Sequence, residues 1–488
     1  MLQTKYKSFE NIYQNPNLLV SLVFSFFPIS FVFGSFVVNL NLVLFCLLGI
    51  YYLKSKILKT EYDFSIKIIF LFFIIIFIST VLSYAKTIYI EGYDDISFVR
   101  LTKSILFFRY FLLLITIYLL NKFNILDFKY FFLTAALSAT VVSLDVIYQF
   151  FMGANILGQK SSGFYNSGFF GDEIIAGGYI QRFSFFSIFF ITLLFNNRKY
   201  TKFIFSIALI SILIIGIFFA GNRMPLILFI AGLFLIFLLN IKIKKIIFLS
   251  ILATFLILQF IILSNDSYKT HLKNAYYSFY VNSMNVVANM YASQKWKITR
   301  NDIIVKGYEE GESRKSITRF YEVKYETHYK RLFLTAIDVW SKNKIFGNGI
   351  KSFRLDCYNL QGRDLLDENA TYEYNLTEEY MANKKNRLCS NHPHNYYFEI
   401  LTEIGLLGLF VTLIIASLFI TFIVKNFQLL KEHNIESSIL LAAVISLFLE
   451  VFPIKSSGSL FSTNDAAYIT LIASIILSYK KKLTKVIN

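Results

Sequence analysis

Charge is what this chain has least of. Only 16% of its 488 residues are Asp, Glu, Lys or Arg, where soluble domains carry roughly a quarter. That argues against an ordinary soluble protein. Proline numbers 5 and glycine 21, which excludes a collagen-like or Pro/Gly-rich disordered chain. Three cysteines are too few for a disulfide-dense scaffold. No internal repeat is visible, against the inverted-repeat architecture of many transporters.

What fills the chain instead is apolar. Hydrophobic residues make up 56%, with 55 Phe and 32 Tyr, and the mean hydropathy is +0.56. The abundance of Phe, Tyr, Ile, Asn and Lys reads as AT-rich coding rather than an aromatic binding surface. The formal net charge of +17 invites a nucleic-acid reading. Where the charges sit decides it.

A spanning helix needs about 20 mostly apolar residues. Twelve such runs occur, near 18–34, 36–53, 66–84, 104–120, 128–151, 174–195, 203–220, 224–240, 246–263, 397–424, 437–455 and 464–478. The first has no small-residue cleavage site and reads as an anchor, not a removed signal. With the N-terminus taken as cytoplasmic, the inner segments hold 20 basic residues against six acids, including Lys54, Lys56, Lys242, Lys244, Lys245 and Lys480 to Lys482. Short outer loops hold few: Lys86, Arg100, Lys103, Lys160, Arg182, Arg223 and Lys455. The positive-inside rule then places both ends in the cytoplasm. The charge excess is a topology signal, and no nucleic-acid partner is expected. The expected fold is an all-α integral membrane protein of about 12 transmembrane helices. Residues 1–263 form helices 1–9, residues 264–396 a partly helical periplasmic loop domain, and residues 397–488 helices 10–12 with a cytoplasmic tail.

A loop of that size between tight connections is usually functional. Within it, residues 313–342 read as helical, with Phe333, Ala336, Ile337 and Trp340 on one face. Gly347-Asn348-Gly349 ends the element as a turn. The acidic residues Glu309, Glu310, Glu312, Glu378 and Glu379 have no metal-ligand spacing and read as solvated surface. An oxidising space favours pairing of Cys357 with Cys389, the alternative being two free thiols. Cys46, in a span, reads as packing.

Three outward features carry candidate chemistry. Gly221-Asn222-Arg223-Met224-Pro225 is a tight turn between apolar helices, and Pro225 suits a first helical turn. Arg223 is either a snorkelling arginine or an anion binder beside free backbone N–H groups. His392-Pro393-His394-Asn395 precedes an apolar helix. Positions 394, 398, 401, 405 and 408 share one helical face, and Gly405 and Gly408 there let a neighbouring helix approach closely. His394 at the water boundary can act as a general base near pH 7. No Cys or paired carboxylate completes a metal site with the two histidines. Arg331, alone, is a surface charge.

At these residues a resemblance becomes specific. His394-Asn395, nine residues, Gly405, two residues and Gly408 resemble the signature of the bacterial O-antigen ligase and polymerase superfamily. The run from Arg331 to Phe353, with its Trp340 and Gly347-Asn348-Gly349, looks like that family's loop segment. Residues 220–239 resemble its Arg-bearing helix start, and 167–183 and 452–462 look like further family segments. The resemblance covers about 160–462 in family order.

It implies an inverting membrane glycosyltransferase at the bacterial inner membrane, with its active site facing the periplasm. The implied donor is an undecaprenyl-diphosphate-linked glycan. The implied acceptor is a sugar hydroxyl of lipid A–core, and neither metal nor other cofactor is used. It carries the family's histidine onto His394 as base or acceptor-positioning group, with Asn395 beside it. Its arginines fall on Arg223 and Arg331 as diphosphate binders, with Arg182 and Glu173 as further substrate-binding candidates. Residues 356–390 align with nothing, and acceptor choice is expected there. A polymerase that extends the lipid-linked glycan is the alternative; a single large outer loop favours the ligase. A lipid-linked sugar transporter is less well supported, since ionisable residues deep in the spans are few, Arg109, Asp145 and Glu450 being the candidates.

Overall fold

The structure is a computed structural model. It describes residues 16–87, 94–162, 165–194, 199–239, 243–264, 266–270, 272, 305–307, 317–319, 328–360, 388–430 and 435–487. The acidic residues 309, 310, 312, 378 and 379 and most of 356–390 lie outside them.

The described residues are overwhelmingly helical. Seven helices are long and apolar enough to cross a membrane: Ser35–Leu53, Phe64–Lys86, Ser97–Lys122, Lys129–Met152, Tyr200–Phe219, Lys244–Ser264 and Tyr396–Lys425. Leu18–Val32, Arg223–Leu239 and Ser437–Glu450 are shorter but equally apolar. The two remaining expected segments also fall on helices, Ala176–Leu194 and Thr463–Ile487. Each is more polar: the first carries a buried Gln181 and a half-buried Arg182, the second a lysine-rich end.

Apolar side chains both fill the interior and coat the outside. Phe131, Phe132 and Phe186 are fully buried and meet edge-on at 5.3 and 5.2 Å, a favoured aromatic geometry. Phe260 and Leu263, by contrast, stand 74% and 83% exposed. In water such faces would be a liability; in lipid they are the expected outer surface. Close helix contacts use small residues: a Cβ at Gly216 would lie 2.6 Å from the Ser143 side chain.

Two expectations need correction. Residues 313–342 are not one helix. Ile317–Arg319 pairs antiparallel with Val305–Gly307, where the β-branched Ile317 and Thr318 suit a strand. The helix is His328–Ser341. Second, the helix Tyr396–Lys425 is broken at Gly405, whose φ of 68° and ψ of −165° are non-helical. The break frees backbone groups, and residues 344–349 take them up. Asn348 and Gly349 donate N–H to the carbonyls of Thr402 and Glu403 at 3.0 and 2.8 Å; Leu406 and Leu407 donate to those of Lys344 and Ile345 at 2.9 and 3.1 Å. A Cβ at Gly405 would overlap the Ile345 carbonyl. So main chain of the loop, and not a neighbouring helix, approaches Gly405. A Cβ at Gly408 would meet Ile404 of its own helix. Irregular backbone in such a segment is tolerated when protein satisfies it.

Candidate functional site

Asn395 fixes the start of the Tyr396–Lys425 helix. It is the N-cap, and its Oδ1 accepts from the N–H groups of Tyr397 and Phe398 at 3.0 and 3.3 Å, satisfying two of the four orphan donors of a helix start. Its Nδ2 donates to the Pro453 carbonyl at 2.7 Å. Both ends of the amide are thereby used in positioning. His394 sits just before the cap with φ of 55°, a left-handed conformation that costs free energy outside glycine. Its carbonyl accepts from Ser457 N–H at 3.0 Å. Positions 394, 398, 401, 405 and 408 therefore do not form one helical face. His394 precedes the helix, and the break at Gly405 separates it from Gly408.

The Arg331 helix lies against this strap. Tyr329 meets His394 edge-on at 6.3 Å between ring centroids, and Phe333 stacks on Phe398 at 4.6 Å. Ser456 Oγ donates to Tyr329 Oη at 3.2 Å. The helix buries Leu332, Ala336 and Val339 against Phe353 and Cys357. That stripe also has spacings of four and three; the expected stripe lies beside it, with Ile337 40% exposed. Cys357 and Cys389 are joined as a disulfide with Cα atoms 5.6 Å apart. Leu388 N–H donates to Thr335 Oγ1 at 3.1 Å. Arg331 and His394 are thus carried on two elements packed together.

Arg223 opens the helix Arg223–Leu239. The preceding Asn222 reaches sideways: its Oδ1 accepts from Gly177 N–H and its Nδ2 donates to the Ile174 carbonyl, both at 3.1 Å. The turn is so docked onto the start of the Arg182 helix. Arg182 differs from expectation. Its guanidinium grips Glu450 with both arms, at 3.0 and 2.7 Å, and reaches Asp465 as well. Glu450 also takes Lys455 Nζ at 2.8 Å and Tyr396 Oη at 2.7 Å. Carboxylates therefore occupy the arginine, and its role here is to tie three helices together. Glu173 is exposed, and among the described residues its backbone bonds those of Phe170 and Ile175.

The sequence reading overlooked a buried cluster beneath His394. Glu399 and Glu403 are each 1% exposed. Glu399 accepts from Ser459 Oγ and Leu460 N–H, both at 2.6 Å; Glu403 accepts from Lys351 N–H at 2.6 Å. Lys351, with φ of 61°, turns its Nζ to Ser459 Oγ at 2.9 Å. Arg100 donates to the carbonyls of Ile350 and Asn348, pinning the Gly347–Gly349 turn. Burial lowers the Lys351 ammonium from its ordinary value. His392 is pushed down to about 4, by burial first and then by His394 and Lys351. Two acids four residues apart in an apolar run were the available signal, since ionisable residues in spans mark functional sites.

The two imidazoles, the Arg331 helix and Lys351 thus lie together at the start of the Tyr396–Lys425 helix. Helices of this length and composition mark a multi-spanning membrane protein. Residues 207–413 match the family model described as O-antigen ligase. The matched segment contains Arg223, Arg331, His394, Gly405 and Gly408. Arg182, Glu173 and Glu450 lie outside it. No curated protein matches the chain.

Proposed function

We propose that this protein is an inverting glycosyltransferase of the bacterial inner membrane. It moves a glycan from undecaprenyl diphosphate onto a sugar hydroxyl of lipid A–core, on the periplasmic side, with both chain ends cytoplasmic and twelve crossings. The observation that carries this reading is the packing of the Arg331 helix on the His394 strap, within the segment that matches the O-antigen ligase family.

The chemistry follows from the groups available. The acceptor oxygen forms a bond to the anomeric carbon as the bond from that carbon to the diphosphate oxygen breaks. Negative charge grows on the departing lipid diphosphate. Arg331 and Arg223 stabilise it through charge-assisted hydrogen bonds that strengthen in the transition state. His394 takes the proton of the attacking hydroxyl. The polyprenyl tail stays in the bilayer, so the diphosphate rests at the boundary where both arginines are expected. Metal and other cofactors have no part in this scheme.

Deletion in the host followed by gel analysis of lipopolysaccharide tests it. Loss of all glycan attached to lipid A–core is the expected outcome. Collapse to a single repeat unit would assign the chain to a polymerase instead. An unchanged pattern would overturn both.

A further inference from the structure

The sequence singles out two histidines, and the proposed transfer uses one. The second, His392, has a ring centroid 4.3 Å from that of His394, with planes 53° apart. Its Nε2 is buried and has no hydrogen-bond partner among the described residues. The Ser457 backbone beside the same ring favours its protonated form, as a carbonyl facing Nδ1–H does when Nε2 has no partner. A neutral imidazole that donates from one nitrogen accepts at the other. Nε2 is therefore a bare lone pair, and a buried acceptor without a donor is costly.

The surroundings say which donor fits. His394, Lys351 and Arg354 all act on His392 as positive neighbours, so an incoming ammonium is disfavoured and a neutral hydroxyl is not. Nearby, Ser457 Oγ and Arg354 Nε are also buried without a partner among the described residues. A hydroxyl-rich ring answers such a mixture of donors and acceptors. His392 as a whole is only partly buried.

We propose that His392 is a second acceptor-recognition residue, whose Nε2 accepts a hydrogen bond from a saccharide hydroxyl next to the one His394 deprotonates. This rests on the transferase reading above. His392 sets which acceptor sugar is held and in what orientation; His394 performs the proton transfer.

Two substitutions test it in opposite directions. His392→Asn keeps an N–H near Nδ1 for Ser457 and leaves nothing at the Nε2 position. His392→Gln places a carbonyl oxygen near Nε2 and gives up the Ser457 bond. Transfer is measured with the purified full-length chain in detergent, a polyprenyl-diphosphate glycan as donor and a lipid A–core glycolipid as varied acceptor. The expected result is an acceptor KM raised about tenfold by Asn, held within roughly threefold by Gln, with donor KM unchanged in both. The reverse order, Asn tolerated and Gln impaired, would make the ring merely structural and overturn the proposal. So would an acceptor KM unchanged in both variants while transfer persists. If the wild-type chain transfers no glycan, the transferase reading itself fails, and this proposal with it.

Discussion

Phe333 stacks on Phe398 with ring planes 18° apart, and this contact joins the helix of Arg331 to the helix that follows His394. Arg331 and His394, 63 positions apart in sequence, are thereby carried on elements packed together. Preorganisation of this kind is where electrostatic catalysis gains most. The loop helix is a structural partner of the membrane helix and not a free arm.

Replacement of His394 by Ala is expected to abolish glycan transfer while the protein still reaches the membrane. Transfer in isolated membranes at wild-type rate, with expression checked by immunoblot, would remove His394 from the reaction.

Arg331→Ala is expected to lower kcat by about 10² to 10³, the usual loss for one preorganised charge-stabilising group. Arg331→Lys should restore little of it, because a lysine lacks the bidentate fork. A full rescue by Lys would point to a simple surface charge.

Glu450→Ala leaves Arg182 and Lys455 without their shared carboxylate. Glu450 is fully buried and Arg182 18% exposed. Breaking a buried pair of this sort costs about 3–5 kcal/mol, so the variant is expected to be poorly recovered and to melt early in detergent. A Tm equal to wild type would show that Asp465 alone holds the arginine.

Gly405→Ala places a Cβ against the Ile345 carbonyl at a φ of 68°. Strain and overlap act together, and the loss should exceed about 1 kcal/mol. Thermal unfolding followed by exposure of the Cys357–Cys389 pair to alkylation after reduction is a direct measure.

Stability should fall as pH drops through the range from 6.5 to 4. His392 binds a proton near 6.5 when unfolded and only near 4 when folded. The unfolded chain therefore binds more protons in that window, and stability present above 6.5 is lost on acidification. His392→Asn should flatten this part of the profile, measured as Tm against pH.

Much of this was legible in the sequence. Every expected apolar run falls on a helix, because a long run lacking charge has few other options in lipid. The Arg331 and His394 segments were found by motif, and the structure packs them together. What escaped were features set by tertiary contact. Arg182 looked like a substrate arginine because its carboxylate partners lie 268 and 283 residues away. Gly405 looked like a helix-packing glycine because no periodicity reports a strand-like backbone pairing with residues 344–349. Glu399 and Glu403 were read as part of an apolar run, since their partners at Lys351 and Ser459 come from distant segments.

The hydrogen bonds between 344–349 and 402–407 also constrain biogenesis. The helix Tyr396–Lys425 cannot close its own backbone ladder at Gly405. In the folded chain the carbonyls of Thr402 and Glu403 and the N–H groups of Leu406 and Leu407 pair with the outer loop, and the Glu403 carbonyl also accepts from Ser79 Oγ. Maturation of this late-made helix therefore waits on a segment synthesised before it. A chain whose loop is exchanged for another sequence would stall at assembly before it ever met a substrate.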